Sequence, residues 1–179
     1  MQTLHPHPAV SAPEVTITAS AERTGPGALR LAYAVGGDTA AVRWPAAGAG
    51  GGRADGLWRS TCLEAFVAPA GGAGYAELNF APAGDWAAYR FSGPRAGMAE
   101  LPCPPPVLTT EAGEGALRLT AEVDLSQAAA FLGRRWRVGL TAVIEDTTGR
   151  LSYWALRHPA GKPDFHHPDS FVLELPEPA

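Results

Sequence analysis

The sequence is poor in charge, poor in cysteine and free of long apolar runs, and each shortage removes a class of function. Charged residues are 18% of its 179 positions, 14 basic against 18 acidic, for a formal net charge of -4. A chain with that balance lacks the basic surface that nucleic acid or an anionic membrane attracts, so neither is an expected partner. No stretch approaches the ~18 consecutive apolar residues of a membrane-spanning helix. The start, Met1-Gln2-Thr3-Leu4-His5-Pro6, has neither a basic leader nor an apolar segment behind it, and the expectation is a cytoplasmic protein. Of the two cysteines, Cys62 sits in a strand pattern and Cys103 between prolines; in a reducing compartment they read as two thiols rather than a bridge. No GxxxxGK[ST] phosphate loop is present and the glycines at 48–52 precede no helix, which argues against nucleotide binding.

What is abundant points to strands and turns. Apolar residues make up 46% of the chain, enough at this length for one domain that buries roughly two-thirds of its unfolded surface without needing a metal or disulfide. With 21 glycines and 17 prolines the composition excludes a helical bundle. Alternating or β-rich runs recur at 14–20, 28–35, 39–44, 61–68, 75–80, 86–91, 106–112, 116–124, 136–145, 150–157 and 171–175. Turn chemistry separates them, as in Gly36-Gly37-Asp38 and Asp146-Thr147-Thr148-Gly149, at spacings that suit hairpins. One short helix is expected, capped at Asp124-Leu125-Ser126 and stopped by Gly133. The segment 46–56 reads as a low-complexity loop. The fold class is therefore all-β: an antiparallel β-sandwich of about 10–11 strands over residues 14–176, preceded by a tail over 1–13.

Matching apolar faces sets register in the middle of the chain. Leu63, Ala65 and Val67 form one face of their strand, and Ala76, Leu78 and Phe80 one face of the next. Aligning them places Glu64 opposite Asn79 and Phe66 opposite Glu77. The same rule applied to 86–91 puts Ala87, Tyr89 and Phe91 inward and brings Arg90 opposite Glu77. One face then carries Glu64, Tyr75, Glu77, Asn79 and Arg90, with Trp86 as an exposed stacking ring and Trp58 at the rim. A solvated face with an ordinary Glu77–Arg90 pair, contributing under about 1 kcal/mol, is the plain alternative. Yet carboxylate, carboxamide, guanidinium and aromatic groups together suit a polar, ring-shaped ligand such as a sugar. Trp44, Trp136 and Trp154 read as core.

The stretch 157–168 gathers Arg157, His158, Lys162, Asp164, His166 and His167 in a loop held by Pro159, Pro163 and Pro168. Prolines limit its freedom, so His158, Lys162, Asp164 and His166 join the candidate ligand-binding set. Four competing readings draw on these residues. Glu64 and Glu77, diagonal across neighbouring strands, resemble the carboxyl pair of a retaining glycosidase; Arg90 opposite Glu77 would lower its pKa, the wrong direction for a general acid. A histidine loop invites a metal ion, though no zinc-ligand spacing is met. Haem held by Met98 with His158 or His166 has no attachment motif behind it. A sheet face that docks another protein would present the same residues.

The residues Asp55-Gly56-Leu57-Trp58, Thr61-Cys62-Leu63-Glu64-Ala65-Phe66, Tyr75-Ala76-Glu77-Leu78-Asn79-Phe80-Ala81-Pro82 with Trp86 and Tyr89, and Arg157-His158-Pro159 with Lys162-Pro163-Asp164-Phe165-His166 together resemble the bacterial DOMON-like family, related to family 9 carbohydrate-binding modules. The resemblance covers most of the chain from about residue 14. It implies a β-sandwich that binds sugars or haem without catalysis. In the carbohydrate modules aromatic side chains clamp a sugar that acidic, amide and arginine groups hydrogen-bond, and Trp58, Trp86, Glu64, Glu77, Asn79 and Arg90 supply matching types. The expectation is a non-catalytic module for a small polar ligand, such as a saccharide, with no required cofactor.

Overall fold

The computed structural model describes residues 1–45, 51–72, 74–113 and 115–178; residues 46–50 of the glycine loop lie outside them. Twelve strands run in chain order: β1 (Gln2–Pro6), β2 (Val15–Arg23), β3 (Ala28–Gly37), β4 (Cys62–Pro69), β5 (Tyr75–Phe80), β6 (Trp86–Phe91), β7 (Ala99–Glu100), β8 (Val107–Gly113), β9 (Ala116–Asp124), β10 (Trp136–Glu145), β11 (Leu151–Ala155) and β12 (Leu173–Leu175). They pair antiparallel in the order β7-β6-β5-β4-β10-β11-β1-β2-β3-β9-β8, with β12 also on β10. The sheet curls into two layers because β1 changes partners along its length. Residues 2–4 pair with β2, whereas His5 and Pro6 pair with β11.

Alternation explains which side of each strand faces the other layer. Leu29, Leu31, Tyr33 and Val35 of β3 meet Leu63, Ala65 and Val67 of β4 and Trp136, Val138 and Leu140 of β10 in one core. Tyr33 can be buried there because its hydroxyl donates to the Glu64 carbonyl at 2.6 Å, which ties the layers together beneath the acidic row. Trp136 is sealed at 0% exposure, its indole N–H bonded to the Phe131 carbonyl, and Trp154 is buried too. Trp44 packs against this core half-buried. Cys62 and Cys103 are free thiols.

Ten of the eleven expected runs are strands. Segment 39–44 is instead a 3-10 turn, Thr39–Ala41, followed by a lone bridge from Val42 to Asp146. The expected helix near 125–132 is a single 3-10 turn, Ala129–Phe131. The first residues, read as a tail, contain the strand that joins the layers. Among the described residues no helix is long and apolar enough to cross a membrane.

The outer faces of β4, β5 and β6 are also covered. Every residue of β5 is buried. A second cluster, Phe66, Tyr75, Tyr89, Phe91, Phe165 and Phe171, lies on that side. The chain after β11 crosses it, and Gly139 of β10 makes room: a Cβ there would lie 2.9 Å from the Ser170 carbonyl oxygen and 3.0 Å from the Phe171 ring.

Candidate functional site

The β4–β5 register is the one the apolar pattern predicts, Glu64 opposite Asn79 and Phe66 opposite Glu77. On β6 the pattern misleads. Tyr89 lies opposite Glu77, and Arg90 lies opposite Ala76. Trp86 and Ala88 therefore face the main core, and Tyr89 and Phe91 face outward. Trp86 is 6% exposed beneath the Arg53 guanidinium, 5.2 Å from the ring centre, so it is no exposed stacking platform. Arg90 shares the inward parity and lines a different cavity of about 590 Å³ near Phe131 and Arg134. No Glu77–Arg90 pair forms, and the Glu77 carboxyl is raised, not lowered, chiefly by burial.

A cavity of about 610 Å³ opens on the outer face, a volume typical of small-molecule sites. Five of the expected residues line it: Trp58, Glu64, Glu77, Lys162 and His166. Three more hold these in place. Asn79, fully buried, donates its side-chain N–H to Glu77 Oε1 at 2.8 Å. Tyr75 reaches His166 Nδ1 at 2.7 Å and accepts the Arg95 backbone N–H at 3.1 Å. Asp164 accepts the Arg95 guanidinium at 2.9 Å and the His166 backbone N–H at 3.2 Å. His158 stands apart, its Nε2 2.8 Å from the His5 carbonyl oxygen and its ring edge-on to His7.

Each lining group has a local cause. Trp58 belongs to the 3-10 turn Leu57–Arg59, entered through Gly56 at φ 75°, a conformation that favours glycine. Its ring meets Tyr89 edge-on at 5.7 Å, and the Tyr89 hydroxyl donates to Asp55. His166 comes from the proline-bounded loop. The Tyr75 oxygen accepts the Arg95 N–H and its hydroxyl shares a hydrogen bond with His166 Nδ1, while His166 Nε2 is turned towards Glu77 Oε2 at 3.8 Å. Burial, with Arg95 nearby, pulls the imidazole down to about 4, so His166 is neutral at pH 7.

At the floor, two carboxyl groups are nearly sealed, Glu64 at 2% and Glu77 at 5% exposure. Thr141 donates to Glu64 Oε2 at 3.3 Å. Glu64 Oε1 and Asn79 Oδ1 have no hydrogen-bond partner among the described residues. Burial pushes the Glu64 carboxyl well above the usual range, and Glu77 beside it adds to the rise. Burial likewise holds the neighbouring Cys62 thiol protonated, an unreactive state.

Sequence reasoning did not select Phe66, Phe91, Arg95, Tyr153 or Phe165, which also line the cavity. Phe66 and Tyr153 could be found by parity, as they share faces with Glu64 and the side opposite Trp154. Arg95 had no signal. It is the one non-glycine residue with positive φ, 55°, among those described, and backbone strain of that kind collects at functional sites. Met98 lines the cavity with His166, but the pair fits axial haem ligation poorly. Nδ1 is committed to Tyr75, Nε2 faces Glu77, and carboxyl groups floor the space. Among the described residues no group of three His, Cys, Asp or Glu side chains is placed to hold a metal ion.

No family model matches the chain, and no curated protein matches it. Among solved structures, the fold is similar to that of a candidate carbohydrate-binding protein from Bacteroides uniformis. The TM-score is 0.66 and the identity 18%, over 99% of this chain and 85% of that one. The likeness is one of fold.

Proposed function

We propose that the chain is a non-catalytic module that binds a small polar ring, a saccharide, in the outer-face cavity of about 610 Å³. One observation carries the reading: two nearly sealed carboxyl groups, Glu64 and Glu77, lie at the floor of a cavity walled by Trp58, Phe66, Tyr153 and Phe165. Fixed acceptors and donors below and aromatic faces around them match the alternation of hydroxyls and C–H patches on a sugar. The DOMON-like resemblance of the central motifs points the same way, as does the carbohydrate-binding description of the Bacteroides uniformis protein.

The paired carboxyls serve binding rather than glycoside cleavage. A retaining mechanism needs one accessible, ionised nucleophile beside one acid. Here burial raises both groups, and Glu64 Oε1 is closed to solvent. Neither carboxyl has a cation in direct contact among the described residues.

A thermal-shift screen against a saccharide panel tests the reading. A stabilising sugar should lose its effect with Glu77→Ala and with Trp58→Ala, and keep it with Arg90→Ala, whose side chain lines the other cavity. A shift that survives both site variants would place the ligand elsewhere.

A further inference from the structure

We infer that the ligand carries a negative charge, and that Arg59 and Lys162 at the cavity wall receive it: the site is built for an acidic saccharide, a sugar ring bearing a carboxylate or phosphate. The inference rests on the saccharide reading above.

Lys162 is the only lysine in the sequence, the other 13 of the 14 basic residues being arginines. It lines the cavity from the proline-bounded loop, and Arg59 lines it from the turn that carries Trp58. Both are exposed, and among the described residues neither makes an ion pair or a side-chain hydrogen bond. That sets them apart from nine of the other twelve basic residues. Arg30, Arg43, Arg53, Arg95, Arg135 and Arg150 each stand 2.8–3.9 Å from a carboxylate oxygen, and Arg23, Arg134 and Arg137 donate to backbone carbonyls. Arg95, the third cation at this cavity, is already neutralised by Asp164 at 2.9 Å.

The rest of the cavity does not cancel the two charges at the rim. His166 contributes none: its ring lies largely buried between Tyr75 and Glu77, and burial keeps it neutral. The carboxyls lie at the floor, nearly sealed, with burial favouring their neutral forms. The cavity therefore sorts a ligand by ends: hydroxyls to the Glu77 side, an anionic substituent to the rim. Two unpaired cations beside a low-dielectric hollow also attract an anion across an otherwise acidic molecule.

Calorimetric titration with matched pairs tests this: glucose with glucuronate and glucose 6-phosphate, galactose with galacturonate, mannose with mannuronate. An acidic member should bind about tenfold tighter than its neutral partner at roughly 10 mM salt, and most of that gap should close near 1 M, where the screening length falls from ~30 to ~3 Å. The glucose set separates carboxylate from phosphate as the preferred anion. In the double variant Arg59→Gln/Lys162→Gln, the acidic member should fall to the level of the neutral one. Neutral members binding as tightly as their acids would overturn the inference and leave the saccharide reading standing. No binding by any sugar would overturn both.

Discussion

The floor of the cavity makes a sharp prediction about one proton. Glu64 and Asn79 stand directly opposite each other on β4 and β5. Glu64 Oε1 and Asn79 Oδ1 are both buried acceptors with no donor among the described residues. The amide cannot turn round, because its N–H already bonds to Glu77 Oε1 at 2.8 Å. A proton on Glu64 turns one of these two unpartnered acceptors into a donor. This agrees with the raised Glu64 carboxyl, caused first by burial and then by Glu77. The folded-state pKa thus lies above the unfolded one, so the folded protein holds more protons above pH ~4.3 and its stability falls as pH rises through the interval between the two pKa values. The limiting slope for one proton is about 1.4 kcal/mol per pH unit, or roughly 3–6 °C in Tm per unit for a chain of this length. Glu64→Gln replaces the acid by an uncharged group of the same shape that can itself donate a hydrogen bond. It should flatten the fall of Tm that the parent shows as pH rises above the ordinary Glu value of ~4.3 and unfold later than the parent at neutral pH. At pH ~3, well below the ordinary Glu value, where the parent is protonated in both states, the two should agree closely. Differential scanning calorimetry across that range gives the answer. A variant whose deficit against the parent grows as pH rises would show that Glu64 is ionised in the fold and that its charge is needed.

Other consequences reach the loop and the histidine. The His166 ring protons should titrate by NMR with a midpoint near 4; a midpoint near the ordinary ~6.5 would show a solvated ring. Tyr75→Phe removes both the acceptor for the Arg95 N–H and the hydrogen-bond partner of His166 Nδ1, and should lower stability by about 1–3 kcal/mol in urea unfolding; an unchanged midpoint would deny the network. Gly139→Ala places a methyl 2.9 Å from the Ser170 carbonyl and should cost about 1–3 kcal/mol while making the 157–171 segment more susceptible to limited proteolysis; a parent-like digestion pattern would show that this segment does not rest on β10.

The acidic row was legible because one face of β4 and β5 is uniformly apolar. Leu63, Ala65 and Val67 against Ala76, Leu78 and Phe80 admit one register, and Glu64, Glu77 and Asn79 follow from it. On β6 both faces are apolar. Trp86 and Ala88 pack in the main core, while Ala87, Tyr89 and Phe91 pack under the chain that follows β11. Alternation carries no sign when a strand is buried on both sides, and for that reason it places Trp86 and Arg90 on the wrong face. The covering segment hid the aromatic wall as well: Phe165 and Phe171 read as loop residues until their packing against Phe66 is seen. β1 is short and ends in Pro6, a pattern that reads as a tail, yet its partners change between Leu4 and His5, where it passes from one layer to the other. Of the loop residues, Lys162, Asp164 and His166 were identifiable by chemistry alone, whereas Arg95 depends on a left-handed turn that no local pattern announces.

The most direct test of the saccharide site is a map of where a sugar binds. Two-dimensional amide NMR during titration with the best ligand of the panel should move the signals of Trp58, Glu77, Tyr153 and His166 together along one saturable curve, with Trp86 and Arg90 unmoved. Perturbations gathered instead around Arg90, Phe131 and Arg134, or no saturable shift with any sugar, would contradict the account.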